Sequence, residues 1–438
     1  MKIILSALLL YCLLLSSCVN SDCPYEPGTP QTPCDVLQGQ VIYDDMVDII
    51  FIDTRRDSPP AGSSRKPVEM SYLEYIMTWD TLIDGNLKKL YVDTVATCPC
   101  DAELFMLKGN PDLDPQDRRT AAQDKDPGAT QFLESNFTFP IPAPPIVLDE
   151  VRKDTAKGKR GGRADFAEVE IAIIDTGVDD KSISLQPVLS SHIPQVTNCP
   201  DFNSAGFDFA SISYPPIDES GHGTHVAGIV AEGGGPRMKL SNFKFTRRGN
   251  NEERGSLFAA LCALNFAIEN RVDIINCSWG YYAPEANPLL KEMVNRAEKA
   301  GIMIVAAAGN HTQNLDVCPF WPASFGLLQP NVLTVASANA GAGAPSGFTN
   351  YGKAVQLFAH GEDIYSPVPG NICGGRSGTS MAAPVITRLL ATYIQNGTSF
   401  ADLKTKLQSD PMLKDFVCPN SFTSAWNKYL DYIPTPCP

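Results

Sequence analysis

Three short stretches, far apart in the chain, hold residue types that together carry out nucleophilic catalysis. Ile171-Ala172-Ile173-Ile174-Asp175-Thr176-Gly177-Val178 reads as an apolar strand ending in an Asp and a turn. Gly221-His222-Gly223-Thr224-His225-Val226-Ala227-Gly228 is a polar entry into an apolar, small-residue helix. Ser377-Gly378-Thr379-Ser380-Met381-Ala382-Ala383-Pro384 sets a Ser where a close-packed helix begins. A Ser hydroxyl is a poor nucleophile until a His takes its proton, and a carboxylate must fix the imidazole tautomer and stabilise the imidazolium. The chemistry open to the set is acyl transfer: attack by Ser380, His222 as base and then acid, Asp175 orienting the ring.

Taken singly, each residue has an ordinary structural use. An Asp after a strand caps a turn or helix, and a Ser in Gly-Thr-Ser is an N-cap. His222 and His225 lie three apart, whereas zinc-protease helices place His four apart around a Glu, so His225 is read as a structural partner inside the helix. A Ser at a helix start lies near free backbone N–H groups and the positive dipole end, which favour a developing oxyanion.

In the order Asp, His, Ser, the blocks around Asp175, His222 and Ser380 resemble the signature blocks of the subtilase family. Ile304-Val305-Ala306-Ala307-Ala308-Gly309-Asn310 is similar to the family's oxyanion-hole strand, and the spacings from His222 and Asn310 to Ser380 are close to those of the family. The resemblance runs from about residue 169 to about residue 395 and implies a serine endopeptidase, with Asn310 and the backbone N–H of Ser380 as oxyanion donors. The intact His222 disfavours the sedolisin relatives, which use Glu there. By the same resemblance an extended substrate lies between Gly255, Ser256 and Leu257 on one side and Ser278, Trp279 and Gly280 on the other. Trp279 departs from the aliphatic residue usual in the family and either narrows the apolar cleft wall or packs in the core. Glu252, Glu253 and Arg254 read as charges at the cleft rim. Family members often carry a metal-binding insertion after the His helix, and the turn Ala231-Glu232-Gly233-Gly234-Gly235-Pro236 is too short for it. The long stretch between Asp175 and His222 holds Asp201, Asp208 and Asp218 as candidates for weak metal sites, but no required metal and no cofactor are expected. The rival reading is a fold kept as a surface binding module, its cleft blocked by an uncleaved N-terminal region.

Side chains held at strand ends and helix starts call for an open α/β sheet. From Val169 onward, apolar strand-like runs alternate with helical stretches, which predicts a three-layer α/β domain over 165–438 with a mainly parallel central sheet. Before it, 35–108 reads as a small α+β domain resembling the inhibitor-like propeptide of such proteases, with Cys98-Pro99-Cys100 in a structural role. Residues 109–164 lose periodicity, carry Phe139-Pro140-Ile141-Pro142-Ala143-Pro144-Pro145 and a basic run from Arg152 to Arg163, and read as a linker in which a processing cut is expected.

Lys2 and the apolar run from Ile3 to Leu15 read as a signal peptide, residues 1–17. Leu15-Ser16-Ser17-Cys18 resembles the lipobox of bacterial lipoproteins, which makes Cys18 the lipidation site, 18–34 a tether and the membrane a partner through the lipid. The expected location is therefore the cell envelope or the exterior. A net charge of −14 disfavours nucleic acid as a partner and leaves protein or peptide substrates and the chain's own propeptide. Of 13 Cys, removal of Cys12 and Cys18 leaves an odd number, so at least one thiol stays free. Cys262 and Cys277 sit in apolar runs and read as buried core residues, while Cys318 and Cys373 are candidates for bridges.

Overall fold

Nine strands make the main sheet, in the spatial order Leu413–Asp415, Lys428–Leu430, Leu357–His360, Val332–Ala338, Met303–Ala307, Ile274–Cys277, Val169–Asp175, Met238–Lys244 and Gly206–Asp208. Every neighbouring pair is parallel except the first, as the expected α/β class requires. The structure, a computed structural model, describes residues 30, 32–51, 72–83, 86–98, 104–125, 132–141, 147–153, 167–190, 206–213, 215–233, 237–249, 252–339, 344–415, 424–434 and 437. The signal segment and Cys18 lie outside the described residues.

Both faces of the sheet are covered, which is why its strands read as unbroken apolar runs. Successive side chains point to opposite faces, so Ile171 and Ile173 join a core with the helices His222–Ala231 and Thr379–Gln395. Ala172 and Ile174 face the other way, into a core built with the helices Leu257–Glu269 and Pro288–Lys299.

A second, wholly antiparallel sheet joins the N-terminal domain to the domain built on the nine-stranded sheet. Its order is Thr246–Gly249, Glu252–Ser256, Phe132–Pro140, Ile42–Phe51, Leu104–Gly109 and Tyr91–Thr97. Alternation again sorts the side chains: Ile49 and Phe51 pack toward Leu257–Glu269 and Pro288–Lys299. Ile50 packs the other way, with Tyr75, Trp79, Leu113 and Ala122. The Arg296 guanidinium lies 5.2 Å from the Phe51 ring centroid, across the same interface.

The stretch 109–164 is not the featureless linker that its sequence predicts. It holds the helix Pro115–Lys125 and the strands Phe132–Pro140 and Val147–Lys153, so the N-terminal domain runs on to Pro140. The helix was hidden because its inward face carries a charge: Arg118 is fully buried, donates from Nε to Asp48 Oδ2 at 2.8 Å and reaches the Asp45 carbonyl at 2.7 Å. A buried ion pair of this kind breaks the apolar stripe by which a helix is read.

The cysteines also depart from expectation in part. Cys262 is no isolated core residue but is bridged to Cys98, and Cys34, placed at the end of a tether, opens the helix Cys34–Gln38 and is bridged to Cys318. Cys373 pairs with Cys437, and Cys277 is a free, buried thiol.

Candidate active site

Asp175 ends the Val169–Asp175 strand between Ile274–Cys277 and Met238–Lys244, and is 2% exposed. Its Oδ1 accepts from the Thr176 N–H at 2.7 Å and lies 2.7 Å from His222 Nδ1, which fixes Nδ1 as the protonated nitrogen. His222 is the first residue of its helix and is fully buried. Gly223 beside it must be glycine: an added Cβ would stand 2.0 Å from the Gly177 carbonyl oxygen.

The start of the His helix is held by Asp218, a residue the sequence offered only as a candidate weak metal ligand. Its Oδ1 accepts from Gly221 N–H at 2.8 Å and Thr176 Oγ1 at 2.9 Å, and its Oδ2 from Thr224 N–H at 2.9 Å. Asp218 therefore caps the helix end that His222 occupies. Asp208 is likewise engaged by the N–H groups of Ala210 and Ser211, and Asp201 lies outside the described residues. His225, one turn on, donates from Nε2 to the carbonyls of Ile364 and Gly374 at 2.9 and 3.0 Å. Burial, with Arg376 and His222 nearby, pushes its pKa down to about 3, so it serves as a neutral clamp on the hairpin that leads into Ser380.

Ser380 is the second residue of Thr379–Gln395 and is 4% exposed. Pro384 lies in this helix and has no N–H, so the Ser380 carbonyl lacks its partner four residues on. Ser278 Oγ donates to that carbonyl at 3.0 Å, and Ser380 Oγ returns a bond to the Ser278 carbonyl at 3.0 Å. Asn276 and Thr387 extend the chain: Thr387 Oγ1 donates to Asn276 Oδ1 at 2.8 Å, and Asn276 Nδ2 to Ser278 Oγ at 2.9 Å. The Ser380 backbone is thereby locked to the end of the Ile274–Cys277 strand. His222 Nε2 makes no hydrogen bond to another side chain, so Asp175 and His222 are joined while the Ser380 hydroxyl is parked on Ser278.

Asn310 follows the Met303–Ala307 strand. The Thr379 N–H and Oγ1 donate to its Oδ1 at 2.8 and 2.9 Å, which leaves the amide NH₂ as the end free to meet a ligand. Thr379, which the sequence did not single out, sets that orientation, and its hydroxyl in turn accepts from the Gly309 N–H at 3.0 Å. The Ser380 N–H, in the first turn of its helix, is a second donor without an intrahelical partner.

Among the residues expected to bind substrate, Gly255 and Ser256 lie on the Glu252–Ser256 strand and Leu257 opens the following helix, while Ser278, Trp279 and Gly280 follow Ile274–Cys277. The first segment is already paired: Gly255 faces Phe139 and Ser256 faces Thr138, and the Ile141 N–H donates to the Glu253 carbonyl at 2.9 Å. Phe139, fully buried, stacks on Trp279 at 5.9 Å between centroids and meets Tyr281 at 5.2 Å. Trp279 is 3% exposed, so it is both a wall of this groove and part of the core. A Cβ on Gly255 would stand 2.5 Å from the Phe245 ring, so only glycine leaves room here. The charged rim is corrected at one position: Glu253 is 7% exposed and burial raises its pKa, with Lys244 Nζ at 3.8 Å. Arg254 is drawn into the N-terminal domain, donating to the carbonyls of Gln40 and Thr138 at 3.0 and 3.1 Å. On the far side of the Ser380 approach, Val147–Lys153 pairs antiparallel with Ile372–Arg376.

A model of the Subtilase family matches residues 167–410. The chain is 33% identical over 227 residues to Subtilisin-like protease 2 of Plasmodium falciparum, covering 49% of this chain and 16% of that relative's length. It is 34% identical over 250 residues to the Major intracellular serine protease of Bacillus subtilis, covering 54% of this chain and 70% of the relative. Among solved structures it is similar to a cold adapted subtilisin-like serine proteinase, at 24% identity and a TM-score of 0.48, covering 65% of this chain and 96% of that one.

Proposed function

From the premise that this chain belongs to the subtilase family, we propose that it is a serine endopeptidase whose catalytic residues are Asp175, His222 and Ser380, with Asn310 in the oxyanion hole. The observation that carries this reading is the buried 2.7 Å contact between Asp175 and His222, with Nε2 of the ring left unbonded. Rotation of the Ser380 hydroxyl from the Ser278 carbonyl to Nε2 lets His222 take its proton as Ser380 attacks a peptide carbonyl. The oxyanion is met by the Ser380 N–H and the Asn310 amide, and Asp175 stabilises the imidazolium. His222 then protonates the leaving amine, and a water repeats the sequence on the acyl-enzyme.

The N-terminal domain is proposed to block this cleft in the uncut chain, with a processing cut falling between the two domains. Support comes from Phe132–Pro140, which adds itself as a strand to Glu252–Ser256 and buries Phe139 against Trp279. The same observation supports the second reading, a permanently occluded binding module. Export is part of the first reading, because bridges such as Cys373–Cys437 belong to oxidising compartments. Lipidation at Cys18 is proposed with it, and loss of fatty-acid label in Cys18→Ala tests that.

The deciding experiment compares the native chain with Ser380→Ala by intact mass and a fluorophosphonate probe. A native chain that shortens and labels, beside a variant that does neither, supports the protease. Folded native protein that stays full length, and stays unlabelled even when its N-terminal domain is cut away and released by reduction, leaves the binding module.

A further inference from the structure

We infer that two disulfides, and not the connecting chain, hold the N-terminal domain on the cleft, so that a cut between the domains leaves the enzyme blocked and a dithiol reductant opens it. The inference rests on the protease reading above.

Cys34–Cys318 and Cys98–Cys262 both cross the interface between the domains. Cys34 opens the Cys34–Gln38 helix at the N-terminal edge, and Cys318 stands just before the Phe320–Trp321 strand of the catalytic domain. Cys98 follows the Tyr91–Thr97 strand, and Cys262 is in the middle of Leu257–Glu269. The Cα separations are 5.7 and 5.5 Å, within reach of a bridge. Both N-terminal cysteines precede the region where a processing cut is expected and both partners follow it, so a cut there leaves the two pieces joined through both of these bridges. Cys373–Cys437, by contrast, lies wholly in the catalytic domain. A tethered strand competes for its groove at an effective concentration of roughly millimolar or more, whereas a freed domain is lost by dilution.

The bridges differ in access, which sets an order. Cys34 is half-buried, while Cys318, Cys98 and Cys262 are at most 3% exposed. A thiolate of the reductant therefore reaches Cys34 first, forming a mixed disulfide as Cys318 leaves and takes a proton. The reductant's second thiol then closes onto the first and frees Cys34 as a thiol. Each bridge takes up two electrons and two protons, and each dithiol leaves as one disulfide. Loosening the Cys34 end uncovers the Cys98–Cys262 bridge for the same exchange. The buried Cys277 thiol, whose pKa burial drives up, supplies no internal thiolate.

The test uses the full chain, nicked with trypsin in the basic run between Arg152 and Arg163. Electrophoresis without reductant should show one species, and with dithiothreitol two. Peptide hydrolysis and fluorophosphonate labelling should stay low after nicking and rise at least tenfold on reduction. Because reduction also opens Cys373–Cys437, a chain carrying Cys34→Ser and Cys98→Ser is nicked in parallel and should be active with no reductant. Fragments that part without reductant, or nicked native enzyme equally active with and without it, overturn the lock. Folded samples that never label, reduced or not, overturn the protease reading instead, and the lock with it.

Discussion

Replacing Asp175 by Asn isolates the charge of the triad from its geometry. Oδ1 of Asp175 accepts from both the Thr176 N–H and the His222 ring, each at 2.7 Å, while Oδ2 is buried and makes no hydrogen bond. An Asn side chain keeps its oxygen where the two donors converge, because the flipped amide would set NH₂ against N–H groups. The His222 tautomer is thus preserved and only the negative charge is lost. With the charges about 4 Å apart and an effective dielectric of about 20, attraction to the imidazolium is about 4 kcal/mol. The retained hydrogen bond offsets about 1 kcal/mol of that loss. The remaining deficit of about 3 kcal/mol corresponds to roughly a hundredfold to thousandfold fall in kcat. Asp175→Ala, which strands both donors, should fall further. The assay is kcat on a chromogenic peptide after the N-terminal domain is removed, with a thermal melt to confirm folding. Asp175→Asn within tenfold of the native kcat, or equal to Asp175→Ala, would show that the carboxylate does not act through the imidazolium.

Phe139→Ala empties the aromatic groove under the docked strand; a Phe-to-Ala change in a core costs about 3 to 5 kcal/mol, so fluorophosphonate labelling of the uncut chain should rise well above native. Arg118→Ala leaves Asp48 buried without its main partner and should destabilise the N-terminal domain by about 3 to 5 kcal/mol, whereas removing both charges should cost less, as a double-mutant cycle in urea will measure. His225 holds its folded pKa at about 3, so between that value and about 6.5 the unfolded chain binds the extra proton and stability falls as pH falls, by at most about 1.4 kcal/mol per unit. Urea midpoints at pH 7 and pH 5 should therefore converge in His225→Gln, and an unchanged gap would place the acid sensitivity elsewhere.

The candidate site was legible because the chemistry proposed for it demands residue types that nothing else in the chain needs in that order. An apolar run ending in Asp175, a glycine on each side of His222 and a small-residue helix after Ser380 are local signs, and the 2.0 Å approach at Gly223 explains why the flanking glycine is there. The parts that stayed hidden act across distance. Asp218 and Thr379 are ordinary polar residues until the fold aims one at the His helix and the other at the Asn310 amide. Pro384 read only as part of a motif, and its consequence, a Ser380 carbonyl left open to Ser278, appears once the helix is laid beside the strand. The bridges of Cys34 and Cys98 span 284 and 164 residues, and no spacing rule connects such partners.

Strand pairing is the deepest case, because main-chain donors carry no side-chain signature. Phe132–Pro140 turns Phe137 and Phe139 into the core shared with Leu257–Glu269 and Leu133 to the opposite face, and its partner Glu252–Ser256 carries charges and a glycine, so neither strand shows the alternation of a half-buried strand. That edge has one set of N–H and C=O groups. If extended substrate uses this edge, as proposed, it competes with the chain's own strand, and inhibition by the docked domain is expected to be competitive with peptide. A substitution that weakens the edge itself weakens both occupants together, whereas one confined to Phe139 weakens only the inhibitor. The ratio of the two effects measures how far the domain occupies the substrate's own place.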